Sequence, residues 1–272
     1  MKISVIIPTY KPQGYLWECL DSLMNQTLSK QEYEVVLVLN GCTEPWKSQI
    51  AEYIKEHLQG MNINFIHTEI SGVSNARNVA IDFAKGDYIT FLDDDDYFSS
   101  ITLQRLSDSA RSDVVTIFKP LAFYDGSREF FSYSRTLEYE KNCKAVILPF
   151  YKVRKNFGGP VMKLFPRQMI GDRRYNSDFK NGEDSLFMFL ISDRMNMVNF
   201  ASEDAIYYRR IRNDSAVTSS KSFMNVFFNS MRLSREYSRI FFCGFNRYNF
   251  WFYITRLLGS VRAIINYKKI TF

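Results

Sequence analysis

Within the first hundred residues, four short apolar runs alternate with three helical patterns, and that alternation narrows the fold more than any other feature. KISVII is β-branched and ends at Pro8; a helical pattern follows over about 15–26. YEVVLVLN (33–40) reads as the next strand, EPWKSQIAEYIKEHL (44–58) as a helix and INFIHT (63–68) as a third strand. VSNARNVAIDFAKG (73–86) reads as a helix with Gly86 as its stop, and DYITFL (87–92) as a fourth strand. Strands apolar on both faces with helices between them specify an α/β chain with a doubly wound, mostly parallel sheet. Such sheets bind ligands beyond the carboxyl ends of their strands. Three unusual segments fall there: PTY at 8–10, NGC at 40–42 and DDDD at 93–96. They are expected to meet on one rim.

Beyond Asp113 the runs become short and β-like (DVVTIF, LAFY, REFFSYS, AVILPF), without a strong helix, and lead to a two-glycine loop, NFGGPV. NGEDSLFMFLISD then reads as a helix with acids in its first turn, where the helix dipole favours them. The last fifty residues read as helical and aromatic. These shifts divide the chain into 1–220, a catalytic unit with halves 1–112 and 113–220, and a helical extension over 221–272.

An apolar fraction of 46% with 24% charged residues is a globular composition. The four cysteines show no CxxC spacing, which argues against a zinc site or a disulfide framework and suits a reducing compartment. The first apolar run is too short for a leader, and no stretch approaches the ~20 apolar residues of a membrane span. A cytoplasmic location is expected. The net charge of +6 resides entirely in the tail: from Tyr237 onward there are six basic residues and no acid, and the rest balances to zero. A broad nucleic-acid surface is therefore not expected.

Four adjacent aspartates directly after a buried strand suit a hard divalent cation, Mn2+ or Mg2+, which takes oxygen ligands and shares them with phosphates. In an extended segment Asp93 and Asp95 would face one way, Asp94 and Asp96 the other. The alternative is a solvated acidic turn, or a helix start capped by Asp96.

The segments SVIIPTY, YLWECLDSLMNQT, YEVVLVLNG and GVSNARNVAIDFAKGDYITFLDDDDYF, in this order, resemble the family 2 glycosyltransferases, inverting enzymes of the GT-A fold. VMKLFPRQMI, NGEDSLF and YYRRIRNDSAVT continue the likeness, which fades after about residue 220. The resemblance implies a nucleotide-sugar donor, expected to be a UDP-sugar, and assigns roles by position. Pro8, Thr9 and Tyr10 would line the base. Asn40 stands where an acid commonly bonds the uracil, a departure from the pattern. Arg77 would help hold the nucleotide, with Asp93 and Asp94 on the ribose and donor sugar and Asp95 on the metal. Asp184 would be the base, with Glu183 and Asp96 as acceptor-side or supporting groups. Arg210, with Arg209 or Arg212, would clamp the diphosphate. The only histidines, His57 and His67, lie away from the loop that often supplies one to the metal.

The acceptor implied is an oligosaccharide or lipid-linked glycan of a bacterial surface polysaccharide. Read as one helix, FNRYNFWFYITRLLGSVRAIINYKKITF places Arg247, Arg262, Lys268 and Lys269 on one half, with Arg256 opposing. That pattern suits peripheral contact with an anionic membrane; packing on the catalytic unit or a homodimer is the alternative. Two other functional classes were weighed. A nucleotidyltransferase would carry a Gly- and Lys/Arg-rich loop after the first strand, which PTYKPQG lacks. A non-catalytic sugar-nucleotide-binding protein would not need both Asp95 and Asp184.

Overall fold

A computed structural model describes residues 2–212 and 222–270, the side chains of 268–270 excepted. The elements run in chain order as β1 (Ile3–Thr9), α1 (Tyr15–Met24), β2 (Tyr33–Asn40), α2 (Trp46–His57), β3 (Ile63–Thr68), α3 (Val73–Phe83) and β4 (Tyr88–Phe91). There follow β5 (Tyr97–Phe98), α4 (Thr102–Ser109), β6 (Val114–Ile117), β7 (Lys119–Tyr124), α5 (Ser134–Glu140), β8 (Leu148–Pro149), β9 (Lys163–Pro166) and α6 (Arg167–Ile170). The chain continues with α7 (Glu183–Leu190), β10 (Met197–Phe200), β11 (Ile206–Ile211), α8 (Phe223–Cys243) and α9 (Phe250–Ile270).

Among the described residues the main sheet has eight strands in the order β3-β2-β1-β4-β9-β6-β10-β8. The strands β1, β2, β3 and β4 are parallel, whereas β9 joins antiparallel to both β4 and β6. Alternation along β1 and β2 explains why both faces are apolar. Ile6, Val36 and Val38 pack with Ala76 and Ala80 of α3 on one side, and Val5, Ile7, Val35 and Leu37 with Leu16 and Leu20 of α1 on the other. The small alanines let α3 lie close against the sheet. A second sheet, β5-β11-β7, flanks the aspartate end of β4.

Two expectations are corrected. REFFSYS forms no strand beyond a bridge from Phe131 to Ala122. Its end turns into α5, where the Thr136 hydroxyl accepts from the Tyr133 amide and donates to the Pro120 carbonyl. The tail is also not one helix. It is an antiparallel hairpin, and Arg247 lies in the turn before α9. The hairpin braces α7: Tyr237 of α8 and Arg256 of α9 both donate to the Ser185 hydroxyl, at 2.9 and 2.8 Å, and Arg256 also reaches the Phe157 carbonyl at 3.0 Å. Gly182, at φ 83°, fits beneath Leu233 of α8, whose Cδ1 would stand 2.6 Å from any added Cβ. Arg256 does oppose the exposed side, as expected, because it is the residue that reaches inward. Lys268 and Lys269 lie outside the described side chains.

Candidate active site

The carboxyl ends of β1, β2 and β4 do meet. The Thr9 hydroxyl donates to Asp94 at 2.5 Å, and the Asn40 amide donates to the Thr9 carbonyl at 2.7 Å. Pro8 is buried within β1, while Tyr10 is half exposed at the rim with the Lys11 ammonium over its ring and over that of Trp46. Asn40 also accepts from the Gly72 amide at 2.8 Å and is 3% exposed. Its amide therefore ties the rim to the start of α3 and is not an open acceptor for a base. Gly41 beside it packs so closely on Ser71 that an added Cβ would overlap it.

The aspartates do not alternate as an extended strand would. The Asp96 amide bonds back to the Asp93 carbonyl, so the segment turns and sends its four side chains to separate partners. Asp93 meets Arg77, Asp94 meets Thr9, Asp95 meets Arg212, and Asp96 accepts from the Tyr207 hydroxyl and the Arg210 amide. Asp96 is 4% exposed and supports the turn from beneath. Burial, reinforced by Asp95 and Asp93, pushes the Asp94 carboxyl up to about 7 against the pull of Thr9. Burial and Asp93 likewise raise Asp95, with Arg212 opposing.

Arg210 differs from expectation. Its guanidinium is 5% exposed and already bonds Glu18 at 2.7 Å, Asp125 at 2.6 Å and the Asp95 carbonyl at 2.9 Å. It is a strut holding the aspartate turn against α1 and β7, with three of its five N–H donors committed and its guanidinium turned away from solvent. Arg212, one-quarter exposed and lying over the Tyr15 ring, is the arginine of this loop that stands at Asp95. The remainder of the segment, 213–218, lies outside the described residues.

Asp184, in the first turn of α7 after Glu183, is brought to the same cleft from the far half of the chain. Arg77 joins them: Nη1 donates to Asp184 at 2.6 Å and Nη2 to Asp93 at 3.0 Å. The arginine is 4% exposed, with the buried Tyr175 ring beside it. Burial pulls its pKa down, but Asp184, Tyr175 and Asp93 more than offset this and hold it charged. Burial raises Asp184 above the usual carboxylate range, against Arg77. Its Oδ2 lies toward Gly159, where a methyl would meet it at 3.6 Å.

Several participants carried no signal in the sequence. Glu18, Asp125 and Tyr207 fix the aspartate turn from three distant elements. Lys163, 1% exposed, donates to the Gly159 and Val161 carbonyls and so holds the glycine loop under Asp184. A lysine within the apolar run VMKLF was the one visible hint.

The residues fit a divalent cation in their donor chemistry. Asp93, Asp94 and Asp95 offer hard oxygens on one turn, although each is engaged by a different partner, Arg77, Thr9 and Arg212. No cluster of three or more acid, cysteine or histidine ligands occurs among the described residues, so donor oxygens and water would have to complete the sphere.

The description of glycosyl transferase family 2 matches residues 4–176. EpsJ of Bacillus subtilis, described as an uncharacterized glycosyltransferase, is 41% identical over 116 residues, covering 42% of this chain and 32% of its own. The poly(ribitol-phosphate) beta-N-acetylglucosaminyltransferase TarS of Staphylococcus aureus is 28% identical over 238 residues, covering 86% of this chain and 40% of its own. This chain thus spans two-fifths or less of those two proteins' lengths. A crystal structure of TarS 1–349 with UDP-GlcNAc superposes with a TM-score of 0.69 at 24% identity, covering 87% of this chain and 66% of that one. The Pyrobaculum calidifontis mannosyltransferase PcManGT, solved with GDP-Man and Mn2+, gives 0.60 at 16% identity over 97% of this chain and 69% of its own. The sheet order, the aspartate turn at its rim and a family description spanning more than half of the residues agree: the chain belongs to glycosyl transferase family 2.

Proposed function

We propose that this chain transfers a sugar, with inversion, from a nucleotide-sugar to a glycan or lipid-linked acceptor of a bacterial surface polysaccharide. The observation that carries the reading is the Arg77 bridge, which sets Asp184 opposite Asp93 with one oxygen still turned to the Gly158–Gly159 loop. Residues 1–112 would hold the donor, with Tyr10 and Lys11 at the base and Asp93 and Asp94 at the ribose and sugar. UDP is the favoured nucleotide, in keeping with the UDP-GlcNAc bound by TarS. Residues 113–220 would present the acceptor. Asp184 takes the proton of the acceptor hydroxyl as that oxygen bonds to the anomeric carbon and the bond to the diphosphate breaks on the opposite face. Arg212 faces the departing diphosphate from beside Asp95. Asp95, with Asp93 or Asp94, would hold Mn2+ or Mg2+, which supplies electrostatic stabilisation of the leaving group when bound.

The test is nucleotide release from a panel of UDP-, GDP- and TDP-sugars. Release is expected from one donor class with added Mn2+ or Mg2+, falling at least tenfold with EDTA. Equal turnover in EDTA would exclude the metal dependence.

For the tail, the favoured partner is an anionic membrane surface, and the location is peripheral on its cytoplasmic face. Met224, Phe228 and Met231 form an exposed stripe on α8, and Trp251, Leu258 and Ile265 one on α9. Arg232, Arg235, Arg247 and Arg262 accompany them. No helix among the described residues is long and apolar enough to cross a membrane. Removing the hairpin would strip Tyr237 and Arg256 from Ser185, so charge substitution is the cleaner probe. The full chain should float with anionic vesicles, and Trp251→Glu with Ile265→Glu should reduce the floated fraction severalfold. Dimerisation in sedimentation without flotation would favour a second copy instead.

A further inference from the structure

Beside the glycine loop, on the side away from the aspartates, lies a cavity of about 220 Å³. Ser134, Arg135, Glu138, Lys155, Asn156 and Lys163 supply its polar lining. The charge there is unbalanced. Glu138 is taken by Lys141 at 3.6 Å, and Lys163 is turned to the carbonyls of Gly159 and Val161. Neither Arg135 nor Lys155 forms an ion pair with any described residue. Burial drives Lys163 well below the ordinary lysine range, with Arg135 and Arg256 adding to the effect and Asp184 opposing it.

The cavity's arginine also lies close to Asp184. A methyl on Gly158 would stand 3.9 Å from Arg135 Nη2, and one on the next residue, Gly159, 3.6 Å from Asp184 Oδ2. Adjacent Cα atoms are ~3.8 Å apart, so one bare dipeptide separates the unpaired guanidinium from the oxygen that would accept the proton. Neither glycine carries a side chain that would stand between Arg135 and Asp184.

We infer that this cavity is an acceptor subsite for an anionic group, a phosphodiester or a carboxylate, carried close to the hydroxyl that receives the sugar. The inference rests on Asp184 as the base and adds the chemical class of the acceptor. A planar guanidinium can grip two oxygens of either anion, while the Lys155 ammonium adds a point charge at the mouth. The Ser134 hydroxyl and the Asn156 amide offer further donors.

The experiment is equilibrium titration of the full chain at low salt with three probes of matched length: oligo(glycerol phosphate), oligogalacturonate and a neutral maltooligosaccharide. At least one anionic probe should bind ten times more tightly than the neutral one, and whichever anion binds better identifies the group. Arg135→Gln combined with Lys155→Gln should reduce that preference to within about twofold, and 0.5 M salt should weaken it. Lys155→Gln alone, at an exposed position, should lower it part of the way if the double variant is poorly folded. Equal binding of all three probes, or an unchanged preference in both variants, overturns the subsite. Because binding needs no turnover, this outcome is separable from failure of the base: in that case Asp184→Asn would still transfer sugar while the anionic preference remained.

Discussion

Asp184→Asn should lower kcat for transfer by roughly 10²–10⁴-fold while leaving the donor bound, the range expected when a positioned general base is removed. An amide is isosteric and can still accept from Arg77 through its oxygen, so the cleft keeps its shape. What disappears is the lone pair able to take a proton on the side of Gly159. Donor affinity measured by titration calorimetry should change little, because the nucleotide side of the cleft is built from Thr9, Tyr10 and the aspartate turn. The pH dependence gives a second check. Burial raises the Asp184 pKa above the usual carboxylate value, and only the ionised form can act as base. Activity of the unaltered chain should therefore fall as pH drops through that raised pKa, at a higher pH than an exposed aspartate would give. The residual activity of Asp184→Asn should lack this acid limb. Undiminished transfer by the variant would remove the base assignment.

The fold and the site were legible to different depths because they rest on different physical regularities. The four parallel strands could be read because burial on both faces demands continuous apolar runs, and β1 and β2 have them. Convergence of PTY, NGC and DDDD followed from topology alone. The directions of the aspartates did not: a single backbone bond from Asp96 to the Asp93 carbonyl turns the segment, and its partners Tyr207 and Arg210 lie more than a hundred residues away. Arg210 and Arg212 are indistinguishable in the string RRIR. Both share one face of the alternation, and what separates them is position: Arg210 lies within β11 and is enclosed by Glu18 and Asp125, whereas Arg212 follows the strand's end and stands beside Asp95. Asn40 could be placed on the rim, but not its commitment to Thr9 and Gly72, since both partners are backbone groups. The placing of Arg247 in the turn before α9 was not legible from charge spacing, because α9 is positioned by its packing on α8, as where Phe241 stacks on Tyr253.

Arg77→Met should both inactivate and destabilise the protein, and the second effect reveals what the arginine does. Methionine fills most of the volume, so the loss is electrostatic rather than a cavity. It leaves Asp93 and Asp184 facing one another without the cation that each contacts within 3.0 Å. Removing one member of a buried ion pair typically costs 3–5 kcal/mol, and in a chain of this size that corresponds to a fall of about 10 °C in Tm. Desolvation opposes charge on Arg77 itself, so a neutral replacement recovers part of the loss and places the expectation at the lower end. The sign with pH separates the causes. Without the arginine, the folded-state pKa of Asp184, already raised by burial, rises further above its unfolded value. A carboxyl group so raised destabilises the fold at pH above its folded pKa, and the penalty fades as pH falls and it takes up a proton. The Tm deficit of Arg77→Met should therefore be larger at pH 8 than at pH 5. A pH-independent deficit would mean that packing against Tyr175 is what Arg77 supplies, and that Asp184 does not depend on it for its charge.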